Sequence, residues 1–338
     1  MSISYSNINL YGCWGNGNLG DELLYISAIK ALVKSNIIEG EVRFRIVTRK
    51  SEGRNNITSL FFRDLKITFG SPIENSLNVL VGGTIFSNKY KILTKLKIFI
   101  NEFILNKLDC YPVDLVLSLG VDFHPKKIKS LKKQCEVSKV IFYRDVESAC
   151  NAKSICSLNN SVIMPDTVFS LKESINQVLG QNTDSYIDQQ KEISYVIRDW
   201  PYNKRVDKFL KTFPKKINEK CTVIDFLDTK NDAKDAIVYK RDIPSFIKVL
   251  IAMKSSSVVV SSRYHGLILA AILGVPLVGV NVDEKISNFC KKYSVPLIEI
   301  GDDSEEIKDK IKSACQVDVG NILKLLDTLP ENICKYFR

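Results

Sequence analysis

Arg263 and His265 stand two residues apart in SSRYHGLILAAILGVP (residues 261–276), where a β-branched run hands over to an apolar helical pattern. The chain has only two histidines, His124 and His265. A cap from Ser261 or Ser262 would leave the first amides of that helix open. Cations at the positive end of a helix oppose its dipole, so an arginine and a histidine there make sense if an anion sits beside them. Arg198 directly follows the apolar run Ile193–Ile197 and offers a second guanidinium at a strand end. Two bidentate donors, a histidine and open amides can hold a ligand that carries a phosphate and a carboxylate. The plainer alternatives are a satisfied core histidine and an internal salt bridge for Arg263.

These residues need elements to carry them. Short β-branched runs alternate with longer helical patterns along the whole chain. Strands are expected at 7–11, 43–47, 78–81, 114–119 and 139–143, with helices at 21–34, 91–108, 125–134 and 146–156. Residues 170–190 lose periodicity and turn polar, which marks a linker. The alternation restarts with strands at 194–197, 222–225, 236–239, 257–260, 276–280 and 296–300, and helices at 204–211, 243–254, 263–273, 285–293 and 305–315. The pattern predicts an α/β protein of two Rossmann-like domains, 1–175 and 190–320, facing across a cleft. A C-terminal helix, 321–338, is expected to pack back on the first domain by analogy with related folds. In such sheets ligands bind beyond the carboxyl ends of the strands, so strand-to-helix turns hold the candidates.

The first such turn, GCWGNGNLGDE (12–22), has four glycines in nine residues before a helix. Asn18 and Gly20 lie where backbone amides can approach an anion, and Asp21 and Glu22 suit the helix start. The turn is not GxxxxGK[ST], which excludes a P-loop. Its match to GxGxxG is loose, and a flexible turn with acidic capping explains it equally well. Gly82 and Gly83 end the run VLVGGT, Arg144 follows a strand in FYRD, and Asp166 sits in MPDT. For Arg144 an ion pair with a neighbouring carboxylate is the plain reading.

Bulk properties narrow the classes. With 45% hydrophobic and 25% charged residues, 338 residues make a soluble globular chain long enough for two cores. The N-terminus lacks a basic region followed by an apolar run, which argues against a secretory signal. The nine cysteines form no CxxC pair, and with two distant histidines they assemble no zinc pattern. Reduced, buried cysteines in a cytoplasmic protein are the expectation. The net charge of +10 attracts something anionic, yet the lysines are dispersed and no nucleic-acid motif stands out, so no nucleic-acid partner is expected. Residues 90–108 are basic and apolar together. They suit an interior helix with lysines at its rim or peripheral docking on an anionic membrane face.

Three stretches in order, YGCWGNGNLGDE, FYRDVESAC with MPDTVFSL, and SSRYHGLILAAILGVPLVGV, resemble the polysaccharide pyruvyl transferase family. The chain departs from the family pattern in VGGT, where a third glycine is common, and in PDT, where DP is usual. The resemblance implies a fold similar to GT-B glycosyltransferases, with an acceptor-side first domain and a donor-side second one. It implies phosphoenolpyruvate as donor and a sugar of a cell-surface glycan, or its lipid-linked precursor, as acceptor. It implies donor contacts from Arg198, Arg263 and His265, with Tyr264 contributing its backbone, in an enzyme of exopolysaccharide or capsule biosynthesis. No cofactor and no metal is expected beyond the donor. Ketal formation needs a proton donor, for which His265 is the candidate, and a base at the acceptor hydroxyl, for which Asp21 or Glu22 is the candidate. A nucleotide-sugar glycosyltransferase is the alternative, but many of those enzymes place a ribose-binding glutamate where this chain has Leu269. A non-catalytic glycan- or anion-binding protein is the reading from another class.

Overall fold

The computed structural model describes residues 5–12, 17–38, 40–47, 57–86, 112–121, 128–155, 160–182, 192–198, 203–217, 221–227 and 236–337. The chain divides into two compact units. The first comprises Met1–Asn16, Asp21–Ser170 and Asn321–Arg338; the second comprises Gly17–Gly20 and Leu171–Gly320.

The first unit is built on seven strands: β1 (Asn7–Tyr11), β2 (Arg43–Val47), β3 (Lys66–Gly70), β4 (Leu77–Phe86), β5 (Leu115–Val121), β6 (Val140–Tyr143) and β7 (Ser161–Ile163). They pair in the order β3-β2-β1-β4-β5-β6-β7, and every pairing is parallel. Every residue of β5 is buried, as expected for a strand inside a parallel sheet covered on both faces. The second unit has β8 (Ile193–Ile197), β9 (Cys221–Asp225), β10 (Ile237–Val238), β11 (Val258–Ser261), β12 (Leu277–Val280) and β13 (Leu297–Ile298). Their order is β10-β9-β8-β11-β12-β13, again all parallel. In each unit the first strand pairs with both the second and the fourth. The order therefore reverses beside β1 and beside β8, which is where ligands bind in folds of this kind.

Side-chain periodicity accounts for the layers. Helix Lys204–Ile217 buries Phe209, Leu210, Phe213 and Ile217, a stripe at helical spacing that packs with Tyr195, Val260 and Val278. Helix Tyr264–Leu273 is buried at every position except His265, and Gly274 ends it with φ +66°. Aspartates cap the helices that start at Val146, Ile243, Glu284 and Ser304.

Several sequence expectations need correction. Residues 170–190 are not simply a linker, because a 3-10 turn at Thr167–Leu171 leads into helix Lys172–Gly180. Its buried stripe is only Ile175, Val178 and Leu179, too narrow to stand out from the polar residues around it. The main stretch of the second unit, Leu171–Gly320, accordingly includes this helix. Strands β3 and β7 escaped prediction because they form the two edges of the first sheet, where burial is partial and alternation weak. Helix Lys204–Ile217 runs past Lys211 through Pro214, and the helix expected at 305–315 stops at Lys312. The C-terminal run is two helices, Gly320–Asp327 and Leu329–Phe337. Within the first unit Phe337 meets Tyr5 edge-on at 6.4 Å and lies under Lys139. The segment 90–108 and His124 lie outside the described residues. Among the described residues no helix is long and apolar enough to cross a membrane.

Gly82 in β4 shows how tightly the first sheet is packed, since a Cβ there would overlap the backbone carbonyl of Ser118. Backbone cannot swing aside as a side chain can. Gly82→Ala is therefore expected to lower unfolding stability by about 1–3 kcal/mol, read as a shifted urea midpoint; an unchanged midpoint would contradict this packing.

Candidate functional site

The sharpest sequence candidates gather at the carboxyl edge of the second sheet, at the pair β8 and β11. Ser262 ties the end of β11 to β8, its amide and its hydroxyl both donating to the Val196 carbonyl at 3.1 Å. The Ser261 hydroxyl accepts from the Arg263 amide at 3.1 Å and donates to the Arg263 carbonyl at 2.8 Å. These serines brace the turn and do not cap the helix. The N-cap is Arg263, in extended conformation and without a side-chain cap bond, because both hydroxyls are already committed to the turn.

Both arginines are held by carboxylates at the ends of strands one beyond their immediate neighbours. Arg263 Nε donates to the Ile197 carbonyl at 2.6 Å, and its Nη2 donates to Asp225 Oδ1 at 2.9 Å. The two side chains are 11% and 1% exposed. Asp225 closes β9 and also accepts from the Leu227 amide at 3.0 Å. Arg198 Nη1 donates to Asp283 Oδ2 at 3.0 Å, with Lys285 Nζ 3.6 Å from the same oxygen. Asp283 follows β12 and caps helix Glu284–Tyr293. The internal salt bridge foreseen as the plain reading of Arg263 is thus present.

His265 is half-buried in the first turn of its helix and stands edge-on to Tyr264 at 5.5 Å. Tyr264 is buried and meets Phe289 edge-on at 5.9 Å, so the ring beside the histidine is itself wedged. The glycine-rich segment of the second unit lies along the same edge. Asn18 forms an antiparallel bridge with Leu227, and the Leu19 amide donates to the Phe226 carbonyl at 3.0 Å. Asn18 Oδ1 accepts from the Gly20 amide at 3.3 Å. A Cβ on Gly20 would overlap the His265 imidazole at Nδ1, and one on Gly17 would overlap the Arg241 guanidinium. Arg241 itself adopts φ +62°, a conformation uncommon for a residue other than glycine.

The remaining candidates belong to the first unit. Asp21 is half-buried and Glu22 is buried in the first turn of helix Leu19–Lys34. Burial, with the Glu22 charge adding to it, pushes the Tyr25 hydroxyl well above its ordinary value. Arg144 is buried and its Nε pairs with Asp145 Oδ2 at 2.9 Å, the plain reading again. Asp145 caps helix Val146–Lys153 by accepting from the Ser148 amide at 2.7 Å. Asp166 is buried and accepts from the Val168 amide at 3.0 Å. Gly83 takes φ +87° beside open space, whereas Gly82 is confined by Ser118.

Structure thus groups Asn18, Gly20, Arg198, Arg263, Tyr264 and His265 in one unit, and Asp21, Glu22, Gly82, Gly83, Arg144 and Asp166 in the other. Sequence reasoning missed Asp225, Arg241, Asp283 and Lys285. A carboxylate ending an apolar strand, as in TVIDF and VGVNVDEK, was the available signal for the two aspartates. Among the described residues no group of three or more His, Cys, Asp or Glu could hold a metal ion. The Gly20 contact is directly testable because the chain has only two histidines. Gly20→Ala is expected to shift the His265 imidazole resonance, assigned by comparison with His265→Gln; an unmoved resonance would refute the contact.

Comparison with known proteins agrees with this architecture. Solved structures that match include a UDP-GlcNAc 2-epimerase from Methanocaldococcus jannaschii in complex with UDP-GlcNAc and UDP, at 12% identity and TM-score 0.59, covering 96% of this chain and 99% of that one. The Neisseria meningitidis UDP-GlcNAc 2-epimerase bound to UDP-GlcNAc matches at 12% identity and TM-score 0.59, covering 97% and 99%. The UDP-N-acetylglucosamine 2-epimerase from Rickettsia bellii matches at 9% identity and TM-score 0.60, covering 99% and 96%. At such identities the likeness is one of fold, the GT-B-like class of two Rossmann-like domains. No curated protein matches the chain. The profile of the family Polysaccharide pyruvyl transferase matches residues 18–284, from the glycine-rich turn through both strand-end arginines to the cap of helix Glu284–Tyr293. The chain belongs to the polysaccharide pyruvyl transferase family.

Proposed function

We propose that this transferase moves the pyruvyl group of phosphoenolpyruvate onto a sugar of a cell-surface polysaccharide or its lipid-linked precursor, forming a pyruvate ketal. The observation that carries the reading is that Arg198, Arg263 and His265 all follow the ends of the adjacent strands β8 and β11, inside the stretch matched by the family. Phosphoenolpyruvate carries about three negative charges near neutral pH, on its phosphate and carboxylate. Two guanidiniums and the start of helix Tyr264–Leu273 suit that charge.

His265 is the candidate proton donor to the methylene carbon, giving an oxocarbenium-like centre. A sugar hydroxyl adds to it and loses its proton to Asp21 or Glu22, of which Asp21 is the more accessible. The C–O bond to phosphate then breaks, phosphate leaves with the proton held by that carboxylate, and a second hydroxyl closes the ring, its proton returning to His265. Each hydroxyl oxygen ends bonded to the former C2 of the donor, and free phosphate is the co-product. We place the reaction on the cytoplasmic side of the membrane, with the basic and apolar residues 90–108 as the part of the sequence suited to an anionic surface.

A nucleotide-sugar enzyme is the second reading, favoured by the UDP-GlcNAc held in the epimerases of similar fold. Against it, Leu269 stands buried where a ribose-binding carboxylate would be needed. Calorimetry with phosphoenolpyruvate and UDP-GlcNAc separates the two readings. Phosphoenolpyruvate is expected to bind and, with a glycan acceptor, to release phosphate. Binding of UDP-GlcNAc alone would overturn the proposal and favour the alternative, whereas donor binding without phosphate release across acceptors would favour a non-catalytic binder. His265→Ala is expected to lower turnover by about 10²-fold or more while the protein stays folded. If Asp21→Asn and Glu22→Gln each keep full turnover, the base lies elsewhere.

A further inference from the structure

The four strands at the centre of the second sheet run in the order β9-β8-β11-β12, and each is followed or ended by one member of two ion pairs. Arg263, after β11, reaches across β8, bonding the Ile197 carbonyl on the way, to Asp225 at the end of β9. Arg198, after β8, pairs with Asp283 after β12, on the far side of β11. The two guanidiniums therefore cross the point where strand order reverses in opposite directions. Each aspartate is also anchored to backbone. Asp225 accepts from the Leu227 amide, and Asp283 Oδ1 accepts from the Ile286 amide at 3.3 Å.

We infer that Asp225 and Asp283 are positioning residues that set the two arginines for the anionic donor. The inference deepens the phosphoenolpyruvate reading and rests on it. An unrestrained arginine loses rotamer freedom when it meets a ligand, while one already held by a buried carboxylate has lost it beforehand. The pairs are largely shielded from solvent, with Asp225 and Asp283 both buried, so screening does not dissolve them.

The sign of the effect separates this role from the alternatives. By charge alone, removing a carboxylate beside an anion site tightens anion binding. A purely structural aspartate leaves the affinity of the folded protein unchanged. Positioning predicts weaker binding, because the guanidinium leaves its direction. The experiment titrates phosphoenolpyruvate by calorimetry into wild type, Asp225→Asn, Asp225→Glu and Asp283→Asn, with thermal melts and the Arg Nε–Hε signals recorded alongside. The Asn variants are expected to bind about 10-fold or more weakly, with Asp225→Glu partly restored. The Arg263 Nε–Hε signal, protected in wild type by the Ile197 carbonyl, is expected to broaden in Asp225→Asn. Unchanged or tighter binding in both Asn variants overturns positioning and leaves the donor reading standing. If Asp225→Asn does not fold, Asp283→Asn decides by the same criterion. Absence of phosphoenolpyruvate binding to wild type overturns the donor reading instead, and positioning is then decided by the Arg263 Nε–Hε signal: retained protection in Asp225→Asn overturns it.

Discussion

A guanidinium set among the ends of buried parallel strands needs a carboxylate within reach, and most features of the second unit's carboxyl edge follow from meeting that need. Breaking such a pair by removing one partner costs about 3–5 kcal/mol, since the charge left behind is neither hydrated nor paired. Arg263 satisfies three strands at once: its backbone continues β11, its Nε binds the end of β8, and its Nη2 binds Asp225 on β9. This leaves the start of helix Tyr264–Leu273 fixed against the sheet by side-chain bonds as well as by apolar packing. The two serines before it, which could have capped the helix, are committed to the turn instead.

Everything beneath that edge serves to hold strand ends level. The sheet is parallel throughout, so all six strands of the second unit end on one side, and the loops that follow them carry the charged residues. The helix behind His265 is buried at every other position, which removes its freedom to roll and fixes the place from which the imidazole emerges. Wedging of Tyr264 against Phe289 adds to the same constraint. The glycine-rich segment 17–20 can lie along this edge only because Gly20 presents no side chain to the imidazole.

Much of the fold was legible in the residues. The fully buried β5 reads as a nearly continuous apolar run, and β1 and β2, where polar and apolar residues alternate, begin and end where the pattern says they should. Edge strands β3 and β7 were not legible, because a half-covered strand needs neither a continuous run nor clean alternation. Helix Lys172–Gly180 was hidden for a related reason: three buried residues suffice to seat it, and the rest of its surface is polar. Arg198, Arg263 and His265 were readable as strand-end and helix-start residues, since sequence position relative to an element boundary decides where such side chains emerge.

Partners were not readable. Asp225 lies 38 residues from Arg263, and Asp283 lies 85 from Arg198, with several other carboxylates closer in sequence to each arginine. Local pattern determined which residues stand at the carboxyl ends of strands, because periodicity and burial are properties of neighbouring residues. Strand order decided which of those ends lie side by side, because hydrogen-bond pairing between β8, β9, β11 and β12 joins segments remote along the chain. The sequence by itself therefore determined an α/β chain with cations and a histidine at its turns, and only the tertiary structure decided that each arginine reaches over a neighbouring strand to its aspartate.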